Sequence, residues 1–319
     1  MVDIDYFQAK LYVGNYDFWM ESSQLVQKLM ADKNKKKEER IQELKTFIAR
    51  FSANLSKSSQ ATSRKKSLEK IQLDEIIPST RKYPFIGFEI EKQLGKDVLE
   101  VQNLSASIEG IKLFENISFV ISRGDKVALL GQNDLAKTAL LKILAGELKP
   151  DSGTIKWGQT VQKSYFPSDH ESYFTGKEQN LIEWLRQYSK EPAESYIRGF
   201  LGRMLFSGDQ PLKQVKYLSG GEKMRCMYSK LMLSQANTLL IDSPTIHLDL
   251  EAIQSVNKGL EDYQGALVVA SHDHNLLQSV CNKMIEIGDF GSFSYEGLFD
   301  DYISDKDIKL KRNALYKTN

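Results

Sequence analysis

A chain of 319 residues is longer than one hydrophobic core usually grows, so one full domain with an appendage, or two domains, is expected. Apolar residues make up 41% and charged residues 27%, which excludes a fibrous or largely disordered protein. No apolar run approaches the roughly 18 to 20 residues of a membrane helix, and MVDIDYFQAK lacks a secretory leader, so a soluble, cytoplasmic protein without a membrane partner is expected. The net charge of +1 hides a local excess: Lys45, Arg50, Lys57, Arg64, Lys65 and Lys66 fall in one stretch that contains no acid and suits an anionic partner. Cys226 and Cys281 stand far apart among apolar neighbours and read as two reduced, buried thiols.

Residues 10–19, KLYVGNYDFW, read as a short strand and turn. They echo SYEGLFDDY near the other end in the order aromatic, Gly, aromatic, Asp, aromatic. The echo makes residues 1–19 the end of a preceding domain of the same kind as the one that follows; two unrelated aromatic turns are the alternative. From Met20 to Arg50 there is no Gly or Pro, and Leu25, Leu29, Ile41, Leu44, Ile48 and Phe51 recur at helical spacing, which predicts a long amphipathic helix. The polar run SANLSKSSQATSR predicts a turn, and a second helix is expected from Arg64 to Ile76. Residues 20–82 are thus a basic helical hairpin, ended by Pro78 and Pro84.

Val98 to Ile108 alternates as a strand should and opens a new domain over 96–303, followed by a basic tail at 304–319. VALL at 127, TLLI at 238 and ALVVA at 266 alternate with helical segments, the pattern of a largely parallel sheet covered by helices, so the fold class is α/β. Residues 178–217, with Leu181, Ile182, Trp184, Leu185, Phe200, Leu201, Met204, Leu205 and Phe206, form an inserted helical subdomain.

VALL runs into Gly131, Gln132, Asn133, Asp134, Leu135, Ala136, Lys137 and Thr138 and then into ALLKILAGEL, a P-loop with one glycine replaced by Ala136. Backbone N–H groups of such a loop cradle phosphates at a helix N-terminus, Lys137 reaches the outer phosphates and Thr138 ligates magnesium. Asp134 adds an unfavourable negative charge there. TLLID places Asp242 at the end of a buried strand, where a carboxylate holds magnesium through water. Between the two, Leu218, Ser219, Gly220, Gly221 and Glu222 lead into the helix KMRCMYSKLML.

With HLD at 247–249 and Ser271, His272 and Asp273, these motifs resemble, in order and spacing, the ATP-binding-cassette superfamily. The resemblance implies ATP and magnesium as cofactors and a second cassette as partner. Two domains would pack head to tail, Ser219, Gly220, Gly221 and Glu222 would close over the partner's nucleotide, and His272 would sense the γ-phosphate. FIARFSANLSKSSQATSRKK followed by RKYPF is similar to the interdomain linker of the ABC-F proteins, which are cytosolic, carry two cassettes and bind the ribosome beside tRNA. That implies an RNA-facing role for Arg50, Lys57, Arg64, Lys65 and Lys66, in agreement with their charge.

Three departures bear on activity. Ser243 stands where the family carries its catalytic glutamate, and loss of a general base removes about 10²- to 10⁴-fold of rate, so turnover is expected to be impaired. Ser168 replaces the glutamine that contacts magnesium and the attacking water, and Ile246 replaces an asparagine. Ile108 stands where many cassettes stack an aromatic on adenine, with Phe114 the nearest aromatic. The expected function is an ATP-gated, ribosome- and tRNA-associated translation factor with weak or absent hydrolysis in its own site. The alternatives are the ATPase subunit of a transporter and a non-catalytic RNA- or ribosome-binding module.

Overall fold

The computed structural model describes residues 2–5, 8–14, 16–51, 58–69, 81–175 and 178–316. The chain divides into two compact units, Met1–Lys82 and Tyr83–Asn319. In the first, β1 (Val2–Asp5) and β2 (Gln8–Leu11) pair as an antiparallel hairpin, and α1 (Tyr16–Phe51) and α2 (Ser58–Glu69) follow. Trp19, Met20 and Leu44 are buried, and the Arg64 guanidinium lies 3.6 Å from the centre of the Phe47 ring, joining the two helices. Leu25, Val26 and Leu29 keep helical spacing but are exposed.

The hairpin departs from expectation at both helix starts. The long helix begins at Tyr16 rather than Met20, inside the segment read as strand and turn, and the second begins at Ser58 rather than Arg64. Ser, Gln and Thr each cost a helix under about 0.7 kcal/mol relative to Ala, too little to prevent a helix that packs on a neighbour. Lys57, Ile76 and Pro78 lie outside the described residues.

In the second unit, residues 83–96 carry no regular secondary structure. Ile86 is buried, Phe85 N–H donates to the Arg203 carbonyl (2.8 Å) and Glu91 N–H to that of Gln235 (3.0 Å). β3 (Asp97–Ile108), β4 (Ile111–Ser122), β5 (Lys126–Leu130), α3 (Asp134–Ala145), β6 (Ser152–Trp157) and β7 (Lys163–Phe166) come next. They are followed by α4 (Leu181–Arg186), α5 (Glu194–Arg203), α6 (Gly220–Leu233), β8 (Thr238–Asp242), α7 (Leu250–Asp262), β9 (Ala266–Ala270) and α8 (His274–Val280). The chain closes with β10 (Lys283–Gly288), β11 (Gly291–Glu296), α9 (Phe299–Ser304) and α10 (Lys306–Leu315).

β4, β3 and β6 form an antiparallel sheet, and β11, β10, β5, β9, β8 and β7 a second, parallel except for β11. Both faces of the large sheet are covered, which is why its strands are continuous apolar runs. Val127, Leu129, Leu240, Val268 and Ile285 face α3 and the antiparallel sheet, while Ala128, Leu239, Ile241, Leu267, Val269 and Met284 face the other helices, as a period of two demands. The α/β expectation holds. The inserted segment contributes α4 and α5 with short 3₁₀ turns, and Trp184 anchors it, stacked on Phe174 at 4.9 Å with its indole N–H on the Tyr173 carbonyl.

The basic tail expected at 304–319 is, through residue 316, a docked element. Ile308 is buried, and the buried Glu286 carboxylate accepts from the Tyr302 hydroxyl, from Arg312 Nε (3.1 Å) and from the Tyr316 hydroxyl (2.5 Å). A carboxylate on β10 with no partner would be prohibitive to bury, and the three donors on α9, α10 and beyond supply what the charge needs.

The sequence echo has a structural counterpart. The β1–β2 pairing runs up to Asp5 and Gln8, as the β10–β11 pairing runs up to Gly288 and Gly291. Gly14 (φ +137°) and Gly297 (φ +149°) precede the helix in each case. Trp19 and Tyr302 are then both buried, edge-on to Tyr12 (6.5 Å) and Tyr295 (5.7 Å).

Candidate nucleotide site

β5 delivers the chain to Gly131, where a Cβ would come within 2.7 Å of the Ile287 carbonyl oxygen, so no other residue fits the turn. Asn133 then caps α3, its Oδ1 accepting from the N–H groups of Leu135 (3.0 Å) and Ala136 (3.3 Å). Ala136, which replaces a glycine of the motif, is buried. Gln132 N–H points at the Tyr316 hydroxyl, 3.3 Å away. Lys137 is 5% exposed and its ammonium lies 2.7 Å from Asp134 Oδ1. The same oxygen lies 3.0 Å from His272 Nε2, at the tip of an otherwise exposed side chain. Lys137 and His272 together hold the Asp134 carboxyl below the usual carboxylate range, the Lys137 bond contributing most.

Asp242, at the end of β8, is buried and gathers three hydroxyls. Thr138 Oγ1 (2.7 Å) and Ser168 Oγ (3.0 Å) donate to Oδ2, and Ser243 Oγ (3.1 Å) to Oδ1. One carboxylate flanked by hydroxyl oxygens is a hard donor set of the kind magnesium takes, completed by phosphate and water. Among the described residues no cluster of three or more His, Cys, Asp or Glu offers a cation an all-protein cage. Ser243 adopts φ +54° and turns its hydroxyl back onto Asp242; a hydroxyl with that engagement supplies no base. The sequence reading missed Tyr165 on β7: its hydroxyl is buried without a hydrogen-bond partner, and burial, with the nearby Asp242 charge, pushes its pKa well up.

The Ser219 hydroxyl caps α6 by accepting from Glu222 N–H (3.3 Å), and Glu222 accepts from Ser219 N–H (2.7 Å) and Lys213 Nζ (2.8 Å). Burial raises the Glu222 pKa, but the Lys213 ammonium and the Ser219 amide outweigh it and the net direction is down. Ser219 and Gly220 are exposed and Gly221 is half-buried, so the glycines open the N-terminus of a 14-residue helix toward solvent. His272 precedes Asp273, which caps α8 through Leu276 N–H.

The structure thus brings Gln132, Asn133, Lys137, Thr138, Ser168, Asp242, Ser243 and His272 to the ends of β5, β7, β8 and β9, while Ser219 to Glu222 stand at the start of α6. Phe114, the nearest aromatic to Ile108, is fully buried on β4 in the core between the two sheets, because its register opposite Ala106 points it inward; Ile108, at the hairpin tip, is 42% exposed. The aromatic that does border the loop is Tyr316, lining a cavity of about 450 Å³ with Leu113, Gln132, Asn133, Asp134 and Ile287. No local signal marked it, since it reaches the loop through the docking of α10. Of the basic residues, Arg50, Lys65 and Lys66 are exposed and Arg64 lies over Phe47.

Fold and site define a P-loop nucleotide-binding domain. Two family models, both described as ABC transporter, match residues 2–88 and 114–246. Among curated proteins the chain is 52% identical, over 99% of its length and 59% of the relative's, to the ABC transporter ATP-binding protein YkpA of Bacillus subtilis. It is 32% identical to the ATP-binding protein YheS of Escherichia coli K12, over 91% of the chain and 45% of the relative. It is 30% identical to ABC transporter F family member 5 of Arabidopsis thaliana, over 97% of the chain and 44% of the relative. The chain spans less than two thirds of the length of these relatives. Solved structures with the same fold include the ATP-binding subunit of an ABC transporter (TM-score 0.55, 20% identity, 68% of this chain and 99% of that one). Another is cbiO1 of Clostridium perfringens (TM-score 0.51, 20% identity, 69% and 96%). The chain belongs to the ATP-binding-cassette superfamily and is of the ABC-F type. Among the described residues no helix is long and apolar enough to cross a membrane.

Proposed function

We propose that this chain is the second cassette and preceding linker of an ATP-gated translation factor, one that binds ATP with magnesium but hydrolyses it weakly or not at all in its own site. The carrying observation is the Asp242 centre. The Thr138 hydroxyl donates to Asp242, the pair that would hold the metal, while Ser243, at the catalytic-base position, bonds Asp242 through its own hydroxyl. Lys137 and the P-loop amides would hold the outer phosphates, and Thr138, Asp242 and Ser168 would surround the ion. Gln132 and Asn133 would shape the loop, and His272 would report on the terminal phosphate. Ser219, Gly220, Gly221 and Glu222 would be lent to the nucleotide of another cassette, either the body that residues 1–19 close or a separate chain. The hairpin, with Arg50, Arg64, Lys65 and Lys66, and with Lys57 beyond the described residues, would face ribosomal RNA and tRNA in the cytoplasm.

The non-catalytic reading, a ribosome-binding module indifferent to nucleotide, draws on the hydroxyls of Ser168 and Ser243 filling the Asp242 centre. Equilibrium titration with Mg-ATP beside Lys137→Ala, followed by ribosome co-sedimentation with and without a non-hydrolysable ATP analogue, separates the two. Saturable binding that Lys137→Ala abolishes, with nucleotide-strengthened sedimentation, is expected. Sedimentation of equal strength with and without nucleotide supports the module and overturns the gate.

A further inference from the structure

The P-loop holds an anion of its own. Asp134 occupies the first position of α3, and a single oxygen of its carboxylate lies 2.7 Å from Lys137 Nζ and 3.0 Å from His272 Nε2. These are the two groups that the site would direct at a terminal phosphate. We propose that Asp134 fills the outer-phosphate station of this site as an internal anion and thereby biases it against nucleoside triphosphates relative to diphosphates. This rests on the ATP-binding reading above and adds a residue that reading does not use.

Lys137 is nearly enclosed, its side chain 7% exposed, so its ammonium stays where the loop puts it. Asp134 is 68% exposed and can turn out to solvent. Phosphate and carboxylate therefore compete for a fixed cation, and the mobile carboxylate is the group that yields. The low carboxyl pKa keeps Asp134 charged near neutrality, so the competition is between two anions. A diphosphate uses Lys137 but leaves the space between Lys137 and His272 to the carboxylate. A triphosphate puts its third phosphoryl group into that space, so it must either displace the carboxylate from both cations or lie beside a like charge. The discrimination thus falls on the third phosphate. The N-terminal dipole of α3, which would otherwise serve the nucleotide alone, already has a charge upon it.

The test is a set of equilibrium titrations of the full chain with Mg-ATP and Mg-ADP, comparing wild type, Asp134→Asn, which keeps the shape and removes the charge, and Asp134→Gly. Asp134→Asn is expected to tighten ATP binding about tenfold, equivalent to roughly one pKa unit of interaction, while moving ADP by less than about threefold; Asp134→Gly should shift the ratio the same way. The melting temperature of the free protein checks that each variant is folded. An unchanged ATP to ADP ratio, or weaker ATP binding in Asp134→Asn, overturns the proposal while leaving ATP binding itself intact. If the wild type binds neither nucleotide but Asp134→Asn binds ATP, the internal anion is supported in its strongest form. If no folded variant binds either nucleotide, this proposal and the ATP reading fail together.

Discussion

The ammonium of Lys223 bonds both carboxylate oxygens of Glu171, at 2.8 and 2.7 Å. Lys223 lies in the first turn of α6, two residues after Gly221, and Glu171 lies three residues beyond Ser168, so the pair ties the start of that helix to the chain leaving the Asp242 centre. Lys223 is mostly covered but Glu171 is 63% exposed, which keeps the pair in the weak class. Glu171→Gln is expected to cost less than about 1 kcal/mol in urea unfolding. A loss of several kcal/mol would mean that the two segments depend on each other far more than an exposed pair allows.

Trp184 has the opposite standing. It is fully buried, stacked on Phe174, edge-on to Tyr188 and bonded through its indole N–H. Trp184→Ala removes that volume and leaves the Tyr173 carbonyl without its donor, so a destabilisation of about 3 to 5 kcal/mol is expected. The urea midpoint should fall with little change in slope.

At the Asp242 centre the missing group can be restored. Ser243→Glu should raise ATP turnover by about 10²-fold, the lower end of what a positioned base contributes, because Ser168, which bonds the same Asp242 carboxylate, is left in place. Single-turnover measurements, which isolate the chemical step, should show the gain. An unchanged rate would count against Ser243 as the cause of weak turnover and point to Ser168 instead.

The capping box at the start of α6 carries a pH dependence. The folded Glu222 pKa lies below its ordinary value of 4.5, with burial opposing the Lys213 and Ser219 contacts that win. A depressed carboxyl pKa contributes stability that is fully present above the unfolded value and disappears as pH falls through the folded one. Wild-type stability should therefore decline more steeply below about pH 4.5 than that of Glu222→Gln, and the two curves should run parallel at neutral pH.

Much of this arrangement could be read from residue patterns, and the reason differs by region. Glycine at 131 and the capping residues Asn133 and Ser219 are local devices, dictated by backbone geometry within a few positions, so their motif shows directly in the chain. The apolar runs of β5, β8 and β9 are legible because strands buried on both faces have no polar side to hide them. What could not be read depends on partners far along the chain. Phe114 looked available because its neighbours in sequence say nothing of β3 and the core behind it. The docking of Tyr316 and Arg312 left no local mark because the carboxylate that recruits them, Glu286, lies on β10, with β11 and α9 in between. The partners of Asp134 followed the same logic: Lys137 is one helical turn away, but His272 comes from the far end of β9.

The docking of Tyr316 against Gln132 has a practical corollary. A dye attached at position 316 itself would sit at the rim of the phosphate loop and is expected to report occupancy as a change in brightness, with no need to modify any residue of the loop. By the same proximity, a bulky group carried at position 316 would crowd the loop, and affinities measured with it would describe that group as much as the protein.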